Sequence, residues 1–322
     1  MNSPTQPETT WPWSGRVDSE ETGPTTRWHQ RVRPFDAHSG GGVALMGFAV
    51  DEGVRRNGGR QGAAGGPKAM RAVLANLALH DSLALWDAGD IACPDGDLEA
   101  AQAALASRVA QALGQGCRPL VLGGGHEIAW GSFQGLARHL QAQGSQSRRV
   151  LIVNLDAHFD LRTAREANSG TPFRQIHAWC AEQRWPFEYR VFGINRDANT
   201  SALFQRAQEL GVPYWLDDAL QTPDGVAQAR AALARDLQGC DAAYLTVCLD
   251  VLPMSLVPGV SAPAALGVPL AAVQELIDTV LASGKLALAD IAELNPAFDR
   301  DAHSARVAAR IAARIALGAQ RR

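Results

Sequence analysis

Apolar residues in this chain come in short blocks separated by longer amphipathic stretches. Eight blocks have the length and composition of strands: VALMGF (43–48), LALW (83–86), RPLVLGG (118–124), RVLIVNLD (149–156), YRVFGI (189–194), VPYW (212–215), AAYLTVCLD (242–250) and LALADIAEL (286–294). Between them apolar positions recur every three or four residues, the period of a helix. Such patterns lie near 98–114, 130–143, 202–210, 225–238 and 269–283. Another helix follows Pro67, where Met70, Val73, Leu74 and Leu77 share a face, and a last one near 302–317 is striped by Val307, Ile311 and Ile315. Apolar strands alternating with helices predict a mostly parallel sheet of about eight strands covered on both faces, a three-layer α/β/α domain. Residues 1–40 are polar, with Trp11, Trp13 and Trp28 as apolar anchors. They read as an arm packed on a single domain of 41–322, with a mobile beginning of about ten residues. The glycine-rich stretch from Asp51 to Pro67 is the longest irregular segment expected, and long loops in compact domains are usually functional.

Composition narrows the function classes. Of 322 residues, 46% are hydrophobic and 20% charged, enough for a sizeable core and against disorder throughout. A formal charge of −3 argues against a nucleic-acid partner. No apolar run approaches the ~20 residues of a bilayer span, so no membrane partner is expected. The N-terminal MNSPTQPETTWPWSG lacks the basic and apolar regions of a secretory signal. Five scattered cysteines with no CxxC pattern then read as reduced thiols in a cytoplasm.

In a parallel sheet, ligands bind beyond the carboxyl ends of the strands. Those ends are loaded here. LIVNLD runs into Asp156, His158 and Asp160, spaced so that an extended segment points all three to one side. RPLVLGGG ends at His126-Glu127, and AAYLTVCLD at Cys248 and Asp250. Alone, His126 reads as a loop histidine and Asp156 as a helix cap. Together, uncompensated burial of so many polar groups is costly, and a divalent cation such as Mn²⁺ explains the set.

GGGHE, DAHFD, CLDVLPMSLVPGVSAP and AELNP, in this order, resemble the arginase–agmatinase ureohydrolase family over nearly the whole chain. WSGRVD (13–18), the loop 51–67 and SGTPF (169–173) resemble its formimidoylglutamase branch. The resemblance implies two manganese ions about a bridging hydroxide. His126 and Asp160 would bind the first ion, His158 the second, and Asp156 both. The family's S-x-D-x-D motif places a second aspartate ligand at Asp250 and its first, bridging, aspartate at Cys248. Cys248 is then either a thiolate ligand or a small buried strand residue. Glu293 matches the acidic residue facing the planar cation of the substrate, and Asp160 is the candidate proton relay. For the carboxylates of formimidoylglutamate the candidates are Arg162, Arg196, Arg56 and Arg60, with Ser169 and Asn195 adding neutral hydrogen bonds. Phe173 stands where arginases carry a histidine, which argues against guanidine hydrolysis. The expectation is therefore hydrolysis of N-formimidoyl-L-glutamate by a homo-oligomer, trimer or hexamer. Alternatives are a ureohydrolase acting on another guanidino acid and a non-catalytic protein of the same fold.

Overall fold

The computed structural model describes residues 11–80, 82–144 and 148–318. The strands are β1 (Val32–Pro34), β2 (Val43–Ala49), β3 (Leu85–Ala92), β4 (Arg118–Leu122), β5 (Val150–Leu155), β6 (Glu188–Ile194), β7 (Tyr214–Leu216), β8 (Ala242–Cys248) and β9 (Leu286–Ala292). The helices are α1 (Trp28–Arg31), α2 (Glu52–Arg56), α3 (Gly66–Leu74), α4 (Leu98–Gly114), α5 (Ile128–Ala142), α6 (Pro172–Gln183), α7 (Ser201–Glu209), α8 (Pro223–Gln238), α9 (Leu270–Ala282) and α10 (His303–Leu317). Among the described residues the strands form one sheet in the order β1-β3-β2-β4-β9-β8-β5-β6-β7, and every pairing is parallel.

The central strands serve two cores, because successive side chains leave opposite faces. Leu120, Leu122, Leu151 and Val153 face one core with residues of α3, α8, α9 and α10. Val121, Val150 and Ile152 face the other with residues of α4, α5, α6 and α7. That two-sided burial is why the blocks are apolar throughout rather than alternating.

Among the described residues the sheet has nine strands rather than eight. β1 escapes detection because it is three residues long, contains a proline and lies at the sheet edge, where an absent N–H is tolerated. β3 runs past its apolar block through Asp87 and Asp90, because both carboxylates are paired with Arg71 of α3 at 2.7 and 2.5 Å. The stretch 51–67 is less irregular than expected: it contains α2 and a 3₁₀ turn at Ala63–Gly65. α6 was not anticipated. Its buried Phe173, Ile176 and Cys180 are diluted by polar neighbours.

Trp28 is wholly buried and Trp13 nearly so, whereas Trp11 is exposed; the first ten residues, expected to be mobile, lie outside the described residues. The Trp13 indole N–H donates to Asp87 Oδ2 at 2.5 Å, beside the Arg71 guanidinium. Trp13→Phe keeps the ring and removes this donor to a buried carboxylate. The expected loss is about 2 kcal/mol of unfolding free energy in urea titration; an unchanged midpoint would mean the bond contributes nothing.

Candidate functional site

The four central strands, in the order β4-β9-β8-β5, bring the chemistry together. Their register aligns Leu122 with Ile291, Cys248 with Ala292, and Leu155 with Val247. The residues just past these ends, His126, Glu293, Asp250 and Asp156, therefore meet along one line. Close approach is possible at Gly124, where a Cβ would lie 1.8 Å from Val50 O.

Asp156, His158 and Asp160 converge as expected, but through a turn rather than an extended segment. The His158 N–H donates to Asp156 Oδ1 at 2.7 Å, and Asp160 has a left-handed backbone with φ 48°. Glu293, following β9, also has a positive φ of 71°. Non-glycine residues rarely adopt this conformation, and such strain concentrates at functional sites.

Asp156 lies between two groups of ligand atoms. On one side, His126 Nδ1 is 3.0 Å from Asp156 Oδ2 and 2.9 Å from Asp160 Oδ2. On the other, His158 Nδ1 is 3.5 Å from Asp156 Oδ1 and 3.1 Å from Asp250 Oδ2. Cys248 joins His126 and Asp156 on the first side; the ligand atoms of these three lie within 4.8 Å of one another, as do those of Asp156, His158 and Asp250. Metal–ligand bonds of about 2.1 Å place neighbouring octahedral ligands about 3.0 Å apart, so these spacings suit a cation in each group. Among the described residues His126 Nδ1 is buried with no well-directed hydrogen-bond partner, an environment that suits a metal ligand. Asp156, Asp250, Cys248 and His126 are all buried, with Asp160 only slightly exposed. The residues present fit a divalent metal site.

Electrostatics point the same way. Burial pushes both imidazoles toward neutrality, yet the surrounding carboxylates outweigh it and raise His126 and His158 well above the usual histidine value. Burial opposes ionisation of Asp156, but the two histidines hold its carboxyl below the usual range. Positive charge is wanted here.

A buried chain of polar side chains backs His126. Thr246 Oγ1 lies 3.0 Å from His126 Nε2, and Asp290, the cross-strand neighbour of Thr246, accepts from Tyr244 OH at 2.5 Å. When Thr246 Oγ1 accepts from Nε2–H, Nδ1 presents a lone pair to the site. Thr246→Val breaks this chain. The expected result is roughly 10- to 100-fold weaker Mn²⁺ binding in a calorimetric titration; unchanged affinity would deny the chain this role.

These ligands floor a cavity of about 160 Å³ lined also by Asn57, Gly59, Arg162, Ser169, Ser261, Ala262 and Glu293. Glu293 Oε1 accepts from the His126 N–H at 2.9 Å, while Oε2 is buried without a partner. Burial, then the nearby Glu127 and Asp250 carboxylates, push its pKa up to about 8. A cationic planar group in the cavity would meet an oxygen lacking only such a donor. Phe173 fills the space beneath, edge-on to His126 at 5.4 Å and stacked on Tyr189 at 4.3 Å; His177 instead packs against Phe187.

Of the substrate-binding candidates, Arg162 and Ser169 line the cavity. Arg56, Arg60, Asn195 and Arg196 do not. Arg56 is bound to Glu52 at 3.0 Å and Glu99 at 2.7 Å. Arg60 donates to Ser261 O at 3.0 Å and lies over the Phe298 ring. The Asn195 side chain caps the following 3₁₀ turn, and exposed Arg196 sits over Phe204. Asn57, Ser261, Thr246 and Asp290 went unrecognised in the sequence. Asn57 and Ser261 sit inside motifs already noted, whereas the Thr246–Asp290 contact requires β8 and β9 to be adjacent.

The family model described as the arginase family matches residues 41–318. A formimidoylglutamase of Ralstonia nicotianae is 53% identical over 311 residues, which cover 95% of this chain and 94% of that one. The crystal structure of Trypanosoma cruzi formiminoglutamase with Mn²⁺ is 27% identical, with a TM-score of 0.73, covering 88% of this chain and 96% of that one. A formimidoylglutamase structure from Bacillus subtilis shares the fold, with a TM-score of 0.81 at 21% identity, covering 98% of this chain and 96% of that one.

Proposed function

Because the chain belongs to the arginase family, we propose that it hydrolyses N-formimidoyl-L-glutamate to L-glutamate and formamide, a step of histidine degradation. The observation that carries this reading is the unpartnered Glu293 oxygen opening on the same cavity as the two ligand groups. The substrate is supported by the name of the Ralstonia relative. His126, Asp156, Asp160 and Cys248 would hold one ion, and Asp156, His158 and Asp250 a second. Manganese is the ion of the Trypanosoma structure.

Manganese held there would supply Lewis acidity, making water a competent nucleophile near neutral pH. The protein supplies position. Glu293 Oε2 accepts an N–H of the protonated formimidoyl group and turns its carbon toward the ligand groups. Arg162 lines the cavity and is exposed, so its guanidinium is the candidate partner for a substrate carboxylate, with Ser169 beside it. Asp160 Oδ2 faces His126 Nδ1 at 2.9 Å, leaving Oδ1 to take the proton of the attacking water and return it to the departing glutamate nitrogen. Water adds to the amidine carbon, and the bond from that carbon to the glutamate nitrogen breaks.

Residues 41–322 act in this reading as one catalytic domain, with the described part of the 1–40 arm packed on it, supported by the span of the family match and by the Trp13–Asp87 bond. We assign it to the cytoplasm on its unpaired cysteines, and to a homo-oligomer, trimer or hexamer, on the family resemblance. No helix among the described residues is long and apolar enough to cross a membrane. The test is hydrolysis by metal-stripped protein reloaded with Mn²⁺, read as released glutamate, with arginine, agmatine and guanidinobutyrate alongside. Turnover of formimidoylglutamate alone supports the proposal. Preference for a guanidino compound replaces the substrate, and no turnover with metal bound favours a non-catalytic role.

A further inference from the structure

The two ligand groups are not chemically alike. Among the described residues sulfur occurs in only one: a His126 imidazole nitrogen, an Asp156 oxygen and Cys248 Sγ form the first, while Asp156, His158 and Asp250 form the second. Cys248 ends β8, is 1% exposed, and lines the cavity. The thiol does not stand alone as evidence, because the His126 Nδ1 beside it is buried and without a hydrogen-bond partner. A cation satisfying that nitrogen lies within reach of the sulfur.

Donor type selects the cation. Thiolate is soft and favours zinc or cobalt over manganese, whereas carboxylate suits manganese and magnesium. The geometry points to two unequal positions: the His126 position takes Cys248 as a thiolate ligand and selects a borderline cation of the zinc–cobalt class, while the His158 position retains the manganese preference of an oxygen-rich site. This deepens the metal-site reading above and rests on it. Binding replaces the S–H bond by a sulfur–metal bond and releases one proton to solvent; no electron transfer is involved.

Co²⁺ serves as the probe, because cobalt–thiolate bonding gives a near-ultraviolet charge-transfer band that nitrogen and oxygen ligands do not. Metal-stripped full-length protein is titrated with CoCl₂ and, separately, with MnCl₂, and the affinities are compared by equilibrium dialysis. The wild type is expected to develop the band with the first equivalent of Co²⁺. Cys248→Ser is expected to lose it, with the Co²⁺/Mn²⁺ affinity ratio falling at least about tenfold. Cys248→Asp serves equally if the serine variant does not fold. Among the described residues no other cysteine belongs to a candidate metal group, so a band that persists in both variants, or an unchanged ratio, overturns the inference. Co²⁺ binding without a band overturns it as well. A wild type that binds no divalent cation at all instead overturns the metal-site reading on which the inference stands.

Discussion

Asp156→Asn lowers kcat/KM for formimidoylglutamate by at least ~10³-fold, a loss of about 4 kcal/mol of transition-state stabilisation. Asp156 is wholly buried and offers one oxygen to each ligand group: Oδ2 is 3.0 Å from His126 Nδ1 and Oδ1 is 3.5 Å from His158 Nδ1. Asparagine has nearly the same shape, so the turn that follows β5 survives, but one of its ends is an amide donor. That end repels a cation and faces an imidazole that no longer has an acceptor. The negative charge available to offset bound metal also falls. Metal content after gel filtration is expected to drop together with activity, while circular dichroism stays unchanged. Retention of more than about a tenth of the wild-type rate with full metal content would remove Asp156 from the centre of the mechanism.

Glu293→Gln behaves differently. We expect kcat/KM to fall by roughly 10²- to 10³-fold while metal content remains at the wild-type level. Glu293 Oε1 is engaged by the His126 N–H, and Oε2 is the buried oxygen without a partner. The amide keeps an acceptor for the backbone but loses the negative charge opposite the amidinium, so the loss falls on orientation of the substrate. Comparing the two variants separates holding the cations from aligning the substrate. Equal loss of metal in both would mean that Glu293 supports the cluster instead.

The sheet and the cluster of candidate metal ligands at its strand ends were legible in the sequence because both depend on short-range pattern. Strands covered on both faces must be apolar throughout, and a parallel sheet puts its chemistry at strand ends, so the D-x-H-x-D triplet after β5 stood out. β1 was illegible because edge pairing needs little apolar content. The polar end of β3 was hidden because Asp87 and Asp90 are balanced by Arg71 from another element. Among the arginines, pattern could not distinguish Arg162, which lines the cavity, from Arg56, which is tied to two glutamates. In a chain with 30 basic residues that choice depends on how loops cross space, which no local spacing records. The Thr246–His126 contact was hidden for the same reason, since it joins residues 120 positions apart.

The position of β9 also governs how the protein can be made. It lies in the middle of the sheet, with Leu120 of β4 paired to Ala289 and Leu245 of β8 paired to the same residue. Until β9 is inserted, β1-β3-β2-β4 and β8-β5-β6-β7 are two separate half-sheets, each with an open edge toward the other. A growing chain that has not yet reached β9 therefore carries His126 on one half and Asp156, His158 and Asp250 on the other, with no Glu293 between them. The assembled centre comes into being only when the last strand zips the halves together, so the protein spends its synthesis with two adhesive edges exposed and its chemistry disarmed.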